Sequence, residues 1–183
     1  NGSGTLDLNG KVFADAYGVS LMGTATQDTF VTNTGTIVGN DTGLTHFSTS
    51  YLTMDNSGVI RGVDGIYLGS SGGMTLTNSG TIKGSLYGIE NSGTGALNIT
   101  NSGVIKLGAF LGGQSDTYDG RLGRITGDLQ AGAGDDTIKG GTYDERFQGG
   151  VGRDIISGGL GADYFIYADT DDSTAARAGR DLI

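Results

Sequence analysis

A chain of 183 residues can form one elongated domain or two small ones. With 37 Gly, no Pro or Trp and only 36% hydrophobic residues it argues against a globular core of large side chains, and the lack of Cys rules out a disulfide scaffold and Cys-based metal sites. The 20 Asp+Glu against 11 Lys+Arg leave a net charge of -9, which argues against nucleic acid as a partner and suits a cation binder.

No stretch approaches the roughly 20 apolar residues of a membrane span. No charged-then-apolar export signal opens the chain; it begins with Asn1 and stops at Asp181-Leu182-Ile183, so a processed or excised fragment is expected. The glycines fall at fixed intervals among alternating apolar residues, a regularity that disorder does not require.

Four tetrads followed by isoleucine organise the first part of the chain: Asn33-Thr34-Gly35-Thr36-Ile37, Asn56-Ser57-Gly58-Val59-Ile60, Asn78-Ser79-Gly80-Thr81-Ile82 and Asn101-Ser102-Gly103-Val104-Ile105. The asparagines are 23, 22 and 23 residues apart. Two residues before each stands Val31, Met54, Leu76 or Ile99, and Leu52, Met74 and Leu97 stand two further back, the alternation of a half-buried strand. A second signal, glycine then an apolar residue, occurs at Gly18-Val19, Gly43-Leu44, Gly65-Ile66 and Gly88-Ile89.

Each unit therefore reads strand, Asn-x-Gly turn, strand, glycine turn, short strand. This is one coil of a right-handed parallel β-helix, and about five coils between Leu6 and Leu107, each about 4.8 Å from the next, make a rod near 24 Å long. Ile37, Ile60, Ile82 and Ile105 are expected to stack inward. Helices are hardly supported, and neither a leucine-rich solenoid nor an antiparallel sandwich explains one turn recurring at this period. The asparagines are expected to be structural, tolerating left-handed backbone and laddering through their amides. Arg61, Lys83 and Lys106 follow the last three isoleucines and should line one outer face, either as a solvated edge that prevents wrong strand pairing or as a site for an anionic polysaccharide.

The β-helix is assigned to residues 1–112, a transition coil to 113–130 and a β-roll with its cap to 131–183. In the transition, Asp116-Thr117-Tyr118-Asp119-Gly120 and Gly127-Asp128-Leu129 read as degenerate joints where the coil shrinks, so that one continuous stack runs through both parts. Then come four nonapeptides, 131–139, 140–148, 149–157 and 158–166, on the pattern Gly-Gly-x-Gly-x-Asp-x-(apolar)-x. Glycine permits a tight turn with inward carbonyls, aspartate supplies a hard anionic oxygen and the apolar residue makes a one-sided strand. The third and fourth copies match throughout, whereas Ala131 replaces a glycine in the first, and Tyr143 and Glu145 replace glycine and aspartate in the second.

These nonapeptides resemble the repeats-in-toxin (RTX) family, calcium-dependent bacterial exoproteins whose β-roll takes two nonapeptides per turn. The resemblance implies calcium between repeats one turn apart, pairing the first with the third and the second with the fourth. Asp136 and Asp154 would share one ion, with carbonyls of the turns containing Gly132, Gly134, Gly150 and Gly152. Asp163, with Gly159 and Gly161, would help bind another, opposite Asp144 and Glu145 of the second repeat. The segment from Tyr167 to Thr174, with Arg180 to Ile183, is similar to the end of serralysin-type secreted proteins. There Asp169, Asp171 and Asp172 either close a last site or form a solvated acidic loop. The asparagine tetrads are similar to adhesin and autotransporter-like passenger repeats.

The expected function is that of a calcium-binding module of a secreted bacterial RTX protein, non-catalytic by itself, with Ca2+ as cofactor. Stacked carboxylates repel and glycine-rich turns have much entropy to lose, so calcium binding and folding should be one equilibrium, completed after export through a one-step channel. The location implied is extracellular, free or at the cell surface. The partners implied are calcium and an extracellular polysaccharide or the cell surface, without nucleic acid.

Two alternatives share these features: part of a polysaccharide lyase or epimerase, in which β-helices beside RTX repeats occur, or an adhesin or surface-layer component. An enzyme of that kind needs a base and an acid or cation. His46, the one histidine, beside Phe47 in a variable turn, is expected to be an ordinary surface or half-buried residue, and Tyr51, Tyr67, Tyr87, Arg61 and Lys83 are the other candidates. No His-Glu-x-x-His zinc motif is present, and no Ser-His-Asp set can be nominated.

Overall fold

The computed structural model describes residues 4–23, 27–168 and 172. Short segments that alternate apolar residues with Thr, Ser and Asn bury one side only, and the result is 22 strands with no helix among the described residues.

Six successive coils contribute three strands each. β1 (Gly4–Leu8), β2 (Lys11–Ala14) and β3 (Tyr17–Gly23) form the first, and β4 (Thr29–Asn33), β5 (Thr36–Gly39) and β6 (Thr42–Ser48) the second. The third is β7 (Leu52–Asn56), β8 (Val59–Arg61) and β9 (Asp64–Leu68), and the fourth β10 (Met74–Asn78), β11 (Thr81–Lys83) and β12 (Tyr87–Asn91). β13 (Leu97–Asn101), β14 (Val104–Lys106) and β15 (Ala109–Phe110) make the fifth, and β16 (Thr117–Asp119), β17 (Arg124–Thr126) and β18 (Asp128–Ala133) the sixth. Two further coils have two strands each: β19 (Thr137–Lys139) with β20 (Arg146–Val151), and β21 (Ile155–Ser157) with β22 (Tyr164–Phe165).

Strands of equal rank pair in parallel from coil to coil, giving a β-solenoid with three faces. The first face is eight-stranded from β1 to β21, the second six-stranded from β2 to β17, and the third eight-stranded from β3 to β22. The registers measure the coil. Gly4 lies beside Thr29, Thr29 beside Leu52, Leu52 beside Met74 and Met74 beside Leu97, steps of 25, 23, 22 and 23 residues. Thr117 lies beside Thr137 and Thr137 beside Ile155, steps of 20 and 18. The last step equals two nonapeptides. So short a perimeter holds two strands and their turns, and the second face ends at β17.

The interior is a set of stacked apolar columns. On the first face Leu6, Val31, Met54, Leu76, Ile99, Tyr118, Ile138 and Ile156 follow one another in register. Val12, Ile37, Ile60, Ile82, Ile105 and Ile125 do so on the second, and Val19, Leu44, Ile66, Ile89, Ala109, Leu129, Phe147 and Phe165 on the third. From the second coil to the seventh these side chains are buried. Each fully buried Ile, Leu or Met contributes about 1.5–3 kcal/mol.

The asparagines form the expected ladder. Asn33 Nδ2 donates to Asn56 Oδ1, Asn56 to Asn78 and Asn78 to Asn101, each at 2.7 Å and buried. Asn101 Nδ2 ends the ladder on Tyr118 Oη at 3.3 Å. The first asparagine's Oδ1 also accepts the Gly35 N–H at 3.2 Å. The glycine of each turn is required by close approach, since a Cβ on Gly58 would overlap the Gly35 carbonyl of the coil before. The expected left-handed backbone is not used: these asparagines end extended strands, and among the described residues Leu107, at φ 68°, is the one non-glycine with positive φ.

Candidate metal centre

Gly132, Gly134, Gly150, Gly152, Gly159 and Gly161, the second and fourth positions of the first, third and fourth nonapeptides, have φ between 96° and 147°. Side chains with a Cβ rarely adopt this backbone. Gly141 and Tyr143 of the second copy lie outside this region, so that turn is built differently, and the Arg124 guanidinium sits 5.0 Å from the Tyr143 ring centroid. The first glycine of a repeat makes room for that repeat's own carboxylate. A Cβ on Gly149 would collide with Asp154 Oδ2, and one on Gly158 with Asp163 Oδ2.

The turns entering the first face carry a column of aspartates. Asp116, Asp136 and Asp154 precede β16, β19 and β21 and are 2%, 1% and 0% exposed. Each carboxylate holds the backbone one coil back: Asp154 Oδ1 accepts the Asp136 N–H at 2.9 Å, Asp136 Oδ1 the Asp116 N–H at 2.7 Å, and Asp116 Oδ1 the Leu97 N–H at 2.7 Å. The Oδ2 atoms of all three are buried, and that of Asp116 receives no hydrogen bond. Burial pushes the Asp116 carboxyl up to about 7, against the Leu97 N–H that favours the charge, and the Asp136 charge adds to the rise.

The opposite edge, entering the third face, pairs Glu145 with Asp163. Asp163 Oδ1 accepts the Glu145 N–H at 3.1 Å, as on the first edge. The longer Glu145 side chain instead folds onto its own turn, where Oε2 accepts the Gly141 N–H at 3.0 Å. Burial raises its pKa, the Gly141 N–H opposes this, and Asp163 and Asp144 raise it further. Asp144 and Asp135 point along the stack in the other sense, accepting the N–H of Ala162 at 2.8 Å and of Arg153 at 3.0 Å. Asp172 Oδ2 is held by the Ala168 N–H at 2.7 Å and Gln148 Nε2 at 3.2 Å. Asp169 and Asp171 lie outside the described residues.

The structure thus brings Asp136 next to Asp154 and Glu145 next to Asp163, one coil apart in each case. It adds Asp116, which the nonapeptide pattern does not include. The signal was present: Asp116-Thr117-Tyr118 repeats the Asp136-Thr137-Ile138 run ahead of its strand. Among the described residues no three of His, Asp and Glu gather as one ligand group. A cation here would take carboxylates from different coils together with turn carbonyls, a donor set of hard oxygens that fits Ca2+.

The catalytic candidates do not assemble. His46 is not in a turn: it lies in β6, 0% exposed, stacked between Leu21 and Leu68. Neither ring nitrogen has a hydrogen bond, and burial lowers its pKa. The alternation that places it inward is legible afterwards, because Gly43-Leu44-Thr45-His46 copies Gly65-Ile66-Tyr67-Leu68. Tyr67 and Tyr87 belong to the third face and Arg61 and Lys83 to the second, while Tyr51 precedes β7 on the first and bonds Thr75 Oγ1 at 2.9 Å.

No family model, curated protein or solved structure matches this chain.

Proposed function

We propose that this chain is a calcium-binding module of a secreted protein, whose C-terminal roll takes its final fold as Ca2+ binds. The column Asp116, Asp136, Asp154 carries this reading: three buried carboxyl groups of one sign on successive coils, beside turns of positive-φ glycines. Two charges at the coil spacing of about 4.8 Å repel by about 3 kcal/mol at an effective dielectric of about 20. Protonation or a bound cation would relieve that repulsion.

Bound calcium supplies a divalent charge satisfied by about six to eight oxygens. Asp136 and Asp154 would hold it, with carbonyls of the turns through Gly132, Gly134, Gly150 and Gly152. Asp163 with Gly159 and Gly161 would serve the other edge, which Glu145 makes weaker because its carboxylate is turned onto Gly141. Sites of this carbonyl-rich kind in extracellular modules have dissociation constants on the order of 10⁻⁴ to 10⁻³ M. Such affinity leaves the roll loose at intracellular calcium and ordered outside the cell.

The test is calcium titration of the chelated full chain, followed by calorimetry and far-ultraviolet circular dichroism. Ion uptake and a rise in strand signal should occur together, with magnesium a poor substitute because it demands tighter octahedral geometry. No heat of binding and an unchanged spectrum would overturn the proposal.

A further inference from the structure

We infer that the second face binds a linear acidic polysaccharide, a chain of uronic-acid sugars lying along the solenoid axis. The strands of this face carry Lys11, Arg61, Lys83, Lys106 and Arg124 and no Asp or Glu, in a chain of net charge -9. Arg61 stands beside Lys83 and Lys83 beside Lys106 in the pairing register, all three exposed. Among the described residues the ion pairs are Arg121 with Asp119 and Arg146 with Asp128, neither on this face.

Lysines often protect a sheet edge from wrong pairing, a purpose that suits Lys11 and Arg124 on the terminal strands β2 and β17 but not the other three cations. β8, β11 and β14 are interior strands, each paired on both sides. Like charges stacked directly across strands disfavour the fold, so the column stands against its own repulsion and suits an anionic ligand. A cleft of about 280 Å³ runs beside it, lined by Gly39, Gly62, Gly84, Arg61, Lys83 and Ser85. On the other flank Ser57, Ser79 and Ser102 are exposed and supply hydroxyls to sugar hydroxyl groups.

The repeat distance selects the ligand class. The cations recur once per coil, about 4.8 Å. A pyranose ring linked through opposite positions, built of bonds near 1.5 Å, advances its chain by on the order of 5 Å and carries one carboxylate per ring in a polyuronate, and rotation about the glycosidic bonds can turn successive carboxylates toward one face. An extended acidic peptide presents same-face carboxylates about 6.7 Å apart, out of step with the column. Single-stranded nucleic acid needs aromatic platforms for its bases, and the strands of this face contain only Phe13. The surface is separate from the aspartate column and does not depend on the metal reading.

The test is isothermal titration of the full chain with hexagalacturonate, at low and high salt, in calcium and again in chelator. Binding should occur in both, weaken about tenfold or more at high salt, and weaken at least as much in the triple variant Arg61→Gln, Lys83→Gln, Lys106→Gln. Circular dichroism of that variant should match the parent, since all three side chains are exposed. Lys139→Gln, an exposed cation on the first face, should bind like the parent. The proposal fails if hexagalacturonate is not bound, if binding requires calcium, or if Lys139→Gln loses as much as the triple variant. Equal binding of uncharged maltohexaose, or tighter binding of a single-stranded oligonucleotide or hexaglutamate, would also overturn it.

Discussion

Asp136 Oδ1 accepts the backbone N–H of Asp116 at 2.7 Å, so a carboxylate of the seventh coil holds the turn that leads into the sixth. Asp154 does the same to Asp136, and Asp116 to Leu97. The column therefore begins one coil before the nonapeptides. Each member ties two coils together while adding a carboxyl group that can carry a charge of the same sign.

Asp116 sets the expected pH response of the metal-free protein. Its carboxyl is raised from an ordinary value of 3.8 to about 7 in the fold. Between those values the folded chain holds a proton that the unfolded chain has lost, so stability is full below the lower value and is lost as pH rises through the upper. Asp116→Asn keeps an acceptor for Leu97 without the charge. In chelator, thermal melts from about pH 4 to about pH 8 should fall less steeply for the variant, the difference reaching a few kcal/mol. Identical slopes would show that Asp116 does not titrate in this window.

His46 sets the opposite limb. Burial lowers its pKa from 6.5, so stability is present above that value and is lost as pH falls, when the unfolded chain takes up the proton first. His46→Leu continues the column of Leu21 and Leu68 and should change stability at about pH 8 by less than about 1.5 kcal/mol. At about pH 5 the variant should be the more stable in urea denaturation. A gap that stays constant with pH would mean the imidazole is charged or solvated in the fold.

Asn78 is the central rung of the amide ladder. Asn78→Ala leaves Asn56 Nδ2 and Asn101 Oδ1 buried without their partners, at about 1–3 kcal/mol each. Unfolding free energies from urea denaturation should drop accordingly, by about 2–6 kcal/mol in all. Thr77→Ala, at an exposed position one residue earlier, should stay within about 0.5 kcal/mol. A small effect at Asn78 would place the stability of the coils in the apolar columns alone.

The amino-acid sequence by itself determined the coil, because a structure whose every turn repeats must repeat its turn residues. Asn33, Asn56, Asn78 and Asn101 at steps of 22 or 23, with Ile37, Ile60, Ile82 and Ile105 behind them, define the strand phase, the inward columns and the ladder. The glycines of the nonapeptides likewise announce left-handed turns, since so few other residues enter that backbone.

Only the tertiary structure decided the rest, and the reason is phase. From Leu97 onward the coil shortens to 19, 20 and then 18 residues, so a fixed period no longer says which residue stands beside which. Register alone stacks Asp116 on Asp136 and puts Tyr118 at the foot of the asparagine ladder. Burial of His46 was decided the same way: a lone polar residue at an inward position is recognised as interior only when Leu21 and Leu68 close over it from the coils on either side.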